Sequence, residues 1–214
     1  MGKVLGKALI LYGMSVLVFI SVSFAQDGPT AQVKATVDRV LDILKDPALK
    51  GPKNQAARAK LLQEAIFARF DFPEMAKRSL GPHWRQRSAR ERQEFVDIFA
   101  DLLERSYRQT IERYTDQEII YTQEEINDKY GVVGTAIADK REKLEIPIEY
   151  RVIRHTDQWK VYDVVIDGIS LIGNYRSQFN SIIQKGSYEE LVQKMRIKQE
   201  TNLAEESTAS TRQQ

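Results

Sequence analysis

Apolar residues recur with the period of an α-helix along the first half of the chain. Between residues 30 and 45 they lie three or four positions apart, as on one face of a helix: Val33, Val37, Val40, Leu41 and Leu44. Asp46-Pro47 and Gly51-Pro52 predict the end of this helix and a loop. A second helix is predicted over residues 53–69, with an apolar set of Leu61, Leu62, Ala65, Ile66 and Phe67.

Two further helices have recognisable first turns. Asp71 is predicted to cap a short helix, Pro73–Leu80, which Gly81-Pro82 ends. Ser88 and Glu91 have the spacing of a capping box. The helix that they begin is expected to extend to about residue 113, and its apolar face holds Phe95, Phe99, Leu102, Leu103 and Tyr107.

The spacing of apolar residues then changes from the helical period of 3.6 residues to the strand period of 2. This change predicts an antiparallel meander of four strands over residues 118–127, 130–140, 144–154 and 159–166. Turns are predicted at Asn127-Asp128, Arg141–Lys143 and Thr156-Asp157. Pro147 cannot donate a hydrogen bond to a ladder, so the third strand is expected to be an edge strand or to carry a bulge.

The helical period returns after Asp167-Gly168, with a stripe that Gly186 ends and a last helix capped by Ser187 and Glu190. The predicted fold class is therefore α+β. N-terminal and C-terminal helices are expected to pack on a four-stranded antiparallel curved sheet.

Both ends of the chain differ from this pattern. Residues 1–25 have Lys3 and Lys7, an apolar run and Ser23-Phe24-Ala25, and so predict a signal peptide cleaved after Ala25. An uncleaved anchor is the alternative, because the apolar run is nearly long enough to span a bilayer. Residues 200–214 are rich in Ser, Thr, Gln and Glu and predict a disordered tail, which leaves 26–199 as one domain.

Composition excludes several classes of chemistry. The chain has no cysteine, which rules out disulfides, iron–sulfur clusters and cysteine nucleophiles, and its two histidines lie far apart. Loss of Lys3 and Lys7 with the signal segment lowers Lys+Arg from 32 to 30, which equals the 30 Asp+Glu. A neutral secreted protein is not expected to bind nucleic acid or to adhere strongly to an anionic membrane.

No catalytic or metal-binding motif is evident. Asp163 and Asp167 could act as paired carboxylates, but we expect one to be a solvent-facing strand residue and the other a turn residue. The basic segment 77–92 is either a solvated helix face or a docking surface for an acidic partner or a lipid phosphate. The abundant large apolar groups either fill a core or surround a cavity.

Several motifs in order resemble the MlaC family of periplasmic phospholipid-binding proteins of the Mla pathway, also called toluene-tolerance or ABC-transporter auxiliary proteins. The similarity extends from about residue 31 to 198. The similar segments include Phe70–Ala76, Leu80-Gly81 with Trp84, and the helix from Glu94 to Tyr107. The strongest match is Trp159–Val164, followed by Asp167–Leu171 and Asn174–Arg176 with Phe179.

This resemblance implies a periplasmic carrier rather than an enzyme, with bound phospholipid as cargo and no cofactor. Neutral charge and a shuttling role favour a monomer, and composition argues against a metal site. Its partners would be an inner-membrane ABC transporter complex and an outer-membrane lipoprotein–porin complex, and it would support outer-membrane lipid asymmetry. Acyl chains would lie in an apolar cavity between helices and sheet.

From the periodicity we expect this cavity to be lined by Phe72, Met75, Leu80, Trp84, Phe95, Phe99, Leu102, Tyr107, Ile148, Tyr150, Val152, Val161, Ile169, Ile172, Tyr175 and Phe179. Arg85 and Arg87 are the candidates for partner docking or phosphate contact.

Two other classes of function stay open. A secreted interaction module would have a solid core and no ligand. A small isomerase or hydrolase would use one Asp and one Tyr in an apolar pocket. Tyr162 and Asp163 are a poor pair for such an enzyme, because adjacent strand residues point to opposite faces.

Overall fold

The computed structural model describes residues 27–114, 117–139 and 144–211 of the 214-residue chain. The predicted signal segment and the predicted turn at residues 141–143 lie outside these ranges. The helices are α1 (Pro29–Lys45), α2 (Gln55–Phe67), α3 (Phe72–Leu80), α4 (Ala89–Glu112), α5 (Leu171–Lys185) and α6 (Tyr188–Thr211). The strands are β1 (Glu118–Asn127), β2 (Tyr130–Asp139), β3 (Leu144–His155), β4 (Gln158–Ile166) and β5 (Ile169–Ser170).

The predicted helix starts are confirmed by their capping hydrogen bonds. Asp71 Oδ1 accepts from the backbone N–H three residues later at 2.9 Å, at the start of α3. The Ser88 backbone N–H donates to Glu91 Oε2 at 2.7 Å and the Glu91 N–H donates to Ser88 Oγ at 3.3 Å, which is a complete capping box for α4. Ser187 Oγ accepts from Glu190 N at 3.1 Å at the start of α6.

Helix α6 continues to Thr211 and so takes in much of the segment that composition assigns to a tail. Leu203, Ala204 and Glu205 are strong helix formers, and a helix already begun adds such residues readily. The boundary at residue 199 stays a prediction.

The five strands form one antiparallel sheet in the order β1-β2-β3-β4-β5, so the predicted meander is confirmed with one added strand. β5 follows a tight turn at Asp167 and Gly168, both with positive φ, as an Asp-Gly hairpin turn requires. The pairing shifts by one residue at Thr122 in β1 and at Tyr162 in β4. These two bulges bend and twist the sheet.

Pro147 lies in a central strand, so the expectation that β3 is an edge is wrong. Pro147 pairs with Ala136 of β2, and the register shift of β3 lies at Arg151 and Val152 rather than at the proline. The Pro147 carbonyl accepts from Asp167 N at 3.0 Å, so this side of the residue faces the end of β4. A backbone N–H at this position would point to the same side, beyond the last residue pair between β3 and β4. Its absence in proline therefore removes no hydrogen bond of the ladder.

Three groups of buried side chains hold the helices and sheet together. The main cluster joins α3, α4, α5 and α6 around Phe95, Phe99 and Phe179. The sheet cluster joins α1 to the sheet through Val33, Val133, Val152, Trp159 and Val161. The hairpin cluster is smaller and joins the second half of α1 to α2 through Ile43, Leu62 and Ala65.

Asp163 is buried, which corrects the expectation of a solvent-facing strand residue. Its side-chain oxygens accept hydrogen bonds from Ser170 Oγ at 2.7 Å, Ile172 N at 3.0 Å and Arg151 Nη1 at 3.3 Å. The carboxylate therefore sits at the N-terminus of α5, where the helix dipole favours negative charge. Asp163 thus fastens α5 to β4.

β1 forms one edge of the sheet, and most of its residues are exposed. Glu124 lies on this edge, and its Oε2 accepts from Thr30 N at 2.9 Å at the start of α1. No helix in the described ranges is long and apolar enough to span a bilayer.

Candidate functional site

An apolar cavity of about 320 Å³ lies between the α1–α2 pair, the second half of α4 and the sheet. This volume is at the lower end of the usual range for small-molecule sites, about 300–1,000 Å³. Most of its wall is aliphatic or aromatic. The cavity confirms the predicted arrangement of helices and sheet with an apolar space between them.

One wall comes from α1 and α2. Val33, Val37, Val40 and Leu44 occupy successive turns of α1 at spacings of three or four residues. Leu62 and Ile66, one turn apart on α2, face the same space. The apolar sides of these two helices therefore face the cavity in part, rather than packing entirely against other side chains.

The opposite wall is formed by the sheet. Ile119 and Ile137 are direct partners across β1 and β2, and Ile148 and Ile166 are partners across β3 and β4. All four line the cavity, together with Val161 and Val164 of β4. Branched side chains at paired positions of one sheet face form a continuous apolar surface.

Aromatic side chains close the space. The rings of Phe67 and Phe72 lie 4.3 Å apart between α2 and α3, and Phe67 remains 38% exposed. Tyr107 of α4 and Tyr150 of β3 also line the cavity, and burial raises the pKa of both phenols. Tyr150 hydrogen-bonds to the side chain of Thr135. Both phenols are therefore neutral at physiological pH, as an apolar ligand requires.

Few charged groups border the cavity, and those present are already paired. Arg69 donates from Nη1 to Gln32 Oε1 at 2.7 Å and to the Trp159 carbonyl at 2.6 Å. Burial lowers the pKa of Arg69. Arg108 and Glu104 form a two-bond ion pair, with both N–O distances 2.7 Å. The lining thus offers apolar surface inside. At its margin lie one ion pair and the Arg69 cation, whose hydrogen-bond acceptors are neutral groups.

Six of the predicted lining residues border this cavity: Phe72, Met75, Tyr107, Ile148, Tyr150 and Val161. The other ten lie elsewhere. In the main cluster, Leu80, Phe95, Phe99, Leu102, Ile172 and Phe179 are buried, with Trp84 and Tyr175 half-buried against them. Val152 is buried in the sheet cluster, and Ile169 is 65% exposed.

The length of helix α4 explains why some predicted residues line the cavity and others lie in the main cluster. It has 24 residues, so one apolar face passes two different neighbours. Phe95 and Phe99 in the first half pack edge-on against Phe179 at centroid distances of 5.8 and 5.6 Å. Leu103 and Tyr107 in the second half reach the cavity. A single stripe therefore supplies both core and cavity wall.

The periodicity of apolar residues also identified the residues of α1 and α2 that line the cavity, but only as members of the apolar faces of these helices. Val33, Val37, Val40, Leu41 and Leu44 belong to the α1 stripe, as Leu62, Ile66 and Phe67 belong to that of α2. The pattern shows that these faces turn inward. It does not show that the space opposite them is open.

The two candidate arginines have different surroundings. Arg85 is exposed. Arg87 is only 17% exposed, its guanidinium lies 4.5 Å from the Tyr188 ring centroid, and Nη1 lies 3.3 Å from Glu91 and 3.7 Å from Glu189. Burial is the main cause that raises the pKa of Tyr188 to about 12. Arg87 thus links the start of α4 to α6, whereas Arg85 lies exposed on the surface.

We expect Arg87→Ala to lower the free energy of unfolding by about 1–2 kcal/mol, because it removes a stacked and paired cation. Arg85→Ala, the matched control, should change it by about 0.5 kcal/mol or less. Denaturant unfolding of both variants measures the difference. Equal losses would contradict the structural role of Arg87.

Each of the two histidine side chains contacts one polar side chain. His83 Nε2 lies 2.9 Å from Asn180 Oδ1, and His155 Nε2 lies 2.6 Å from Asp71 Oδ2. Among the described residues, no three His, Asp or Glu side chains come together as a metal site. The cavity is therefore the feature of the structure best suited to hold a ligand.

Comparison with known proteins agrees with this arrangement. A family model described as MlaC protein matches residues 34–197. The intermembrane phospholipid transport system binding protein MlaC of Haemophilus influenzae is 28% identical over 120 residues, which cover 54% of this chain and 56% of that protein. The aligned part thus spans little more than half of this relative.

A solved structure shows the same fold. The phospholipid-binding protein from Ralstonia solanacearum, in complex with a phospholipid, has a TM-score of 0.72 and 28% identity. The similarity covers 81% of this chain and 98% of that one. Because the family model also matches well over half of this sequence, the chain belongs to the MlaC family.

Proposed function

We propose that the protein binds a phospholipid, with acyl chain in the cavity, and carries it through the periplasm. The observation that carries this proposal is the cavity itself, an apolar space between α1, α2, α4 and the sheet. A solid-core interaction module would have no such space. The Ralstonia solanacearum neighbour, which was solved with a phospholipid, supports the choice of ligand.

The cost of exposing acyl chains to water explains why a carrier would be needed. Burying a methylene group is worth about 0.8 kcal/mol. Two acyl chains with roughly 30 methylenes would thus lose on the order of 20 kcal/mol on leaving a membrane for water. An aliphatic and aromatic lining replaces part of that burial. Since such a lining responds to chain volume, we expect loose selection among headgroups.

Membership of the MlaC family supports a more detailed proposal. We infer that the protein is a monomer that exchanges lipid with an inner-membrane Mla ABC transporter complex and an outer-membrane lipoprotein–porin complex. Arg85 is the exposed cation that we propose for docking. No catalytic residue is assigned, and the cargo takes the place of a cofactor.

Native mass spectrometry of protein purified without detergent tests the proposal. We expect a mass increment of about one phospholipid per chain, which solvent extraction then identifies. The same protein should take up fluorescent phospholipid from donor vesicles. A clean apo mass combined with no uptake would overturn the proposal and favour an interaction module.

A further inference from the structure

The cavity is covered by a pair of helical segments with a core of their own. Residues 40–66, here called the flap, comprise the end of α1, the connecting loop and most of α2. Their buried residues Ile43, Leu62 and Ala65 pack on one another in the hairpin cluster, whereas Val33 at the start of α1 belongs to the sheet cluster. The flap can therefore keep its own packing while its distance from the sheet changes.

One end of the flap is fastened firmly. Arg69, just after α2, donates from Nε to Thr36 Oγ1 at 3.1 Å, in addition to its bonds to Gln32 and Trp159. The backbone adds two bonds, from Val161 N to the Arg69 carbonyl at 2.9 Å and from Asp71 N to the Val161 carbonyl at 2.8 Å. This network joins α1, the end of α2 and β4, and so anchors this end of the flap.

The other end is held by an ion pair between α2 and α4. Arg58 Nε lies 3.6 Å from Glu112 Oε1, and the two side chains are 21% and 16% exposed. Both atoms are buried and make no hydrogen bond. Arg58 lies one turn before Leu62, and Glu112 follows Ile111, so the pair stands beside two cavity-lining residues.

We propose that Arg58 and Glu112 form a latch that holds the flap closed and that its opening sets the rate of lipid exchange. This inference rests on the proposed phospholipid carriage. A partly buried ion pair keeps its partners together because each charge lacks water. Without hydrogen-bond geometry the attraction is weak enough to be broken and reformed. The anchor at Arg69 keeps the other end of the flap in place meanwhile.

A reversible cross-link across the latch is the direct test. The chain has no cysteine, so the double variant Arg58→Cys/Glu112→Cys can be joined by a flexible bis-methanethiosulfonate linker that a thiol reductant removes. We expect transfer of fluorescent phospholipid to acceptor vesicles to be at least about tenfold slower in the linked protein, and to recover after reduction. Lys34→Cys/Asp38→Cys, a pair one turn apart on the exposed side of α1, is the matched control.

The neutral pair Arg58→Met/Glu112→Gln should release lipid several-fold faster than the wild type, and the charge-swapped pair Arg58→Glu/Glu112→Arg should restore slow release. A linked protein that transfers lipid at the unlinked rate would overturn the latch, even if it binds phospholipid normally. Failure of the wild type to bind any phospholipid would instead overturn the proposed function. The two failures are thus distinguishable.

Discussion

Replacing Val37 with tryptophan should reduce the phospholipid that copurifies with the protein at least about tenfold. Val37 is half-buried on α1 and lines the cavity, so the larger side chain would occupy volume that we assign to an acyl chain. Tenfold weaker binding corresponds to about 1.4 kcal/mol. The expected loss is larger if the indole fills most of the space.

The measurement is phospholipid per protein after solvent extraction, with thermal unfolding to verify the fold. Ala35→Trp is the matched control, because residue 35 lies on the exposed side of the same helix. It should retain normal lipid content. Full lipid content in the Val37→Trp protein would show that the ligand lies elsewhere.

Replacing Phe99 with alanine should lower the free energy of unfolding by about 3–5 kcal/mol. Phe99 is fully buried in the main cluster and contacts the rings of Tyr175 and Phe179 at centroid distances of 5.3 and 5.6 Å. Its removal leaves a void among packed rings. Lipid content per folded protein should not change, because Phe99 lies outside the cavity lining.

Phe67→Ala is the complementary variant and should show the opposite pattern. Phe67 lines the cavity but is 38% exposed, so its loss should reduce bound lipid with a smaller effect on stability. Denaturant unfolding and lipid extraction on both variants separate core from cavity. If Phe99→Ala lost lipid while remaining stable, the main cluster would be part of the binding site.

Most of the fold could be predicted because its signals are local. The capping box at Ser88 and Glu91, the cap at Asp71 and the change of period near residue 118 act within a few residues of where they occur. Such patterns reflect backbone hydrogen bonding and one buried face. They predict helices and strands without knowledge of the partners.

Features that depend on neighbours were harder to predict. The position of Pro147 in a central strand is allowed only because β4 ends beside it. Strand β5 has two residues, too few to show a period, and the bulges at Thr122 and Tyr162 are defined by the facing strand. Each is a property of a pair of elements, which a single stretch of sequence does not encode.

The cavity was predictable in kind but only partly in its lining. An apolar stripe shows which side of a helix turns inward, and packing density decides whether a neighbour or a void lies opposite. Tyr107 and Phe99 belong to one stripe on α4, yet only Tyr107 borders the cavity. The difference arises from where α5 and α6, which follow the sheet in the chain, pack against α4.

The outer strand β1 of the sheet bears on how this protein avoids aggregation. An open strand edge offers unpaired backbone N–H and C=O groups to another molecule. Such pairing brings little benefit to a protein with an apolar cavity. The exposed charge of Glu125, the bulge at Thr122 and the tie from Glu124 to the start of α1 all disturb this edge. These features make β1 a poor template for edge-to-edge pairing and fibril growth.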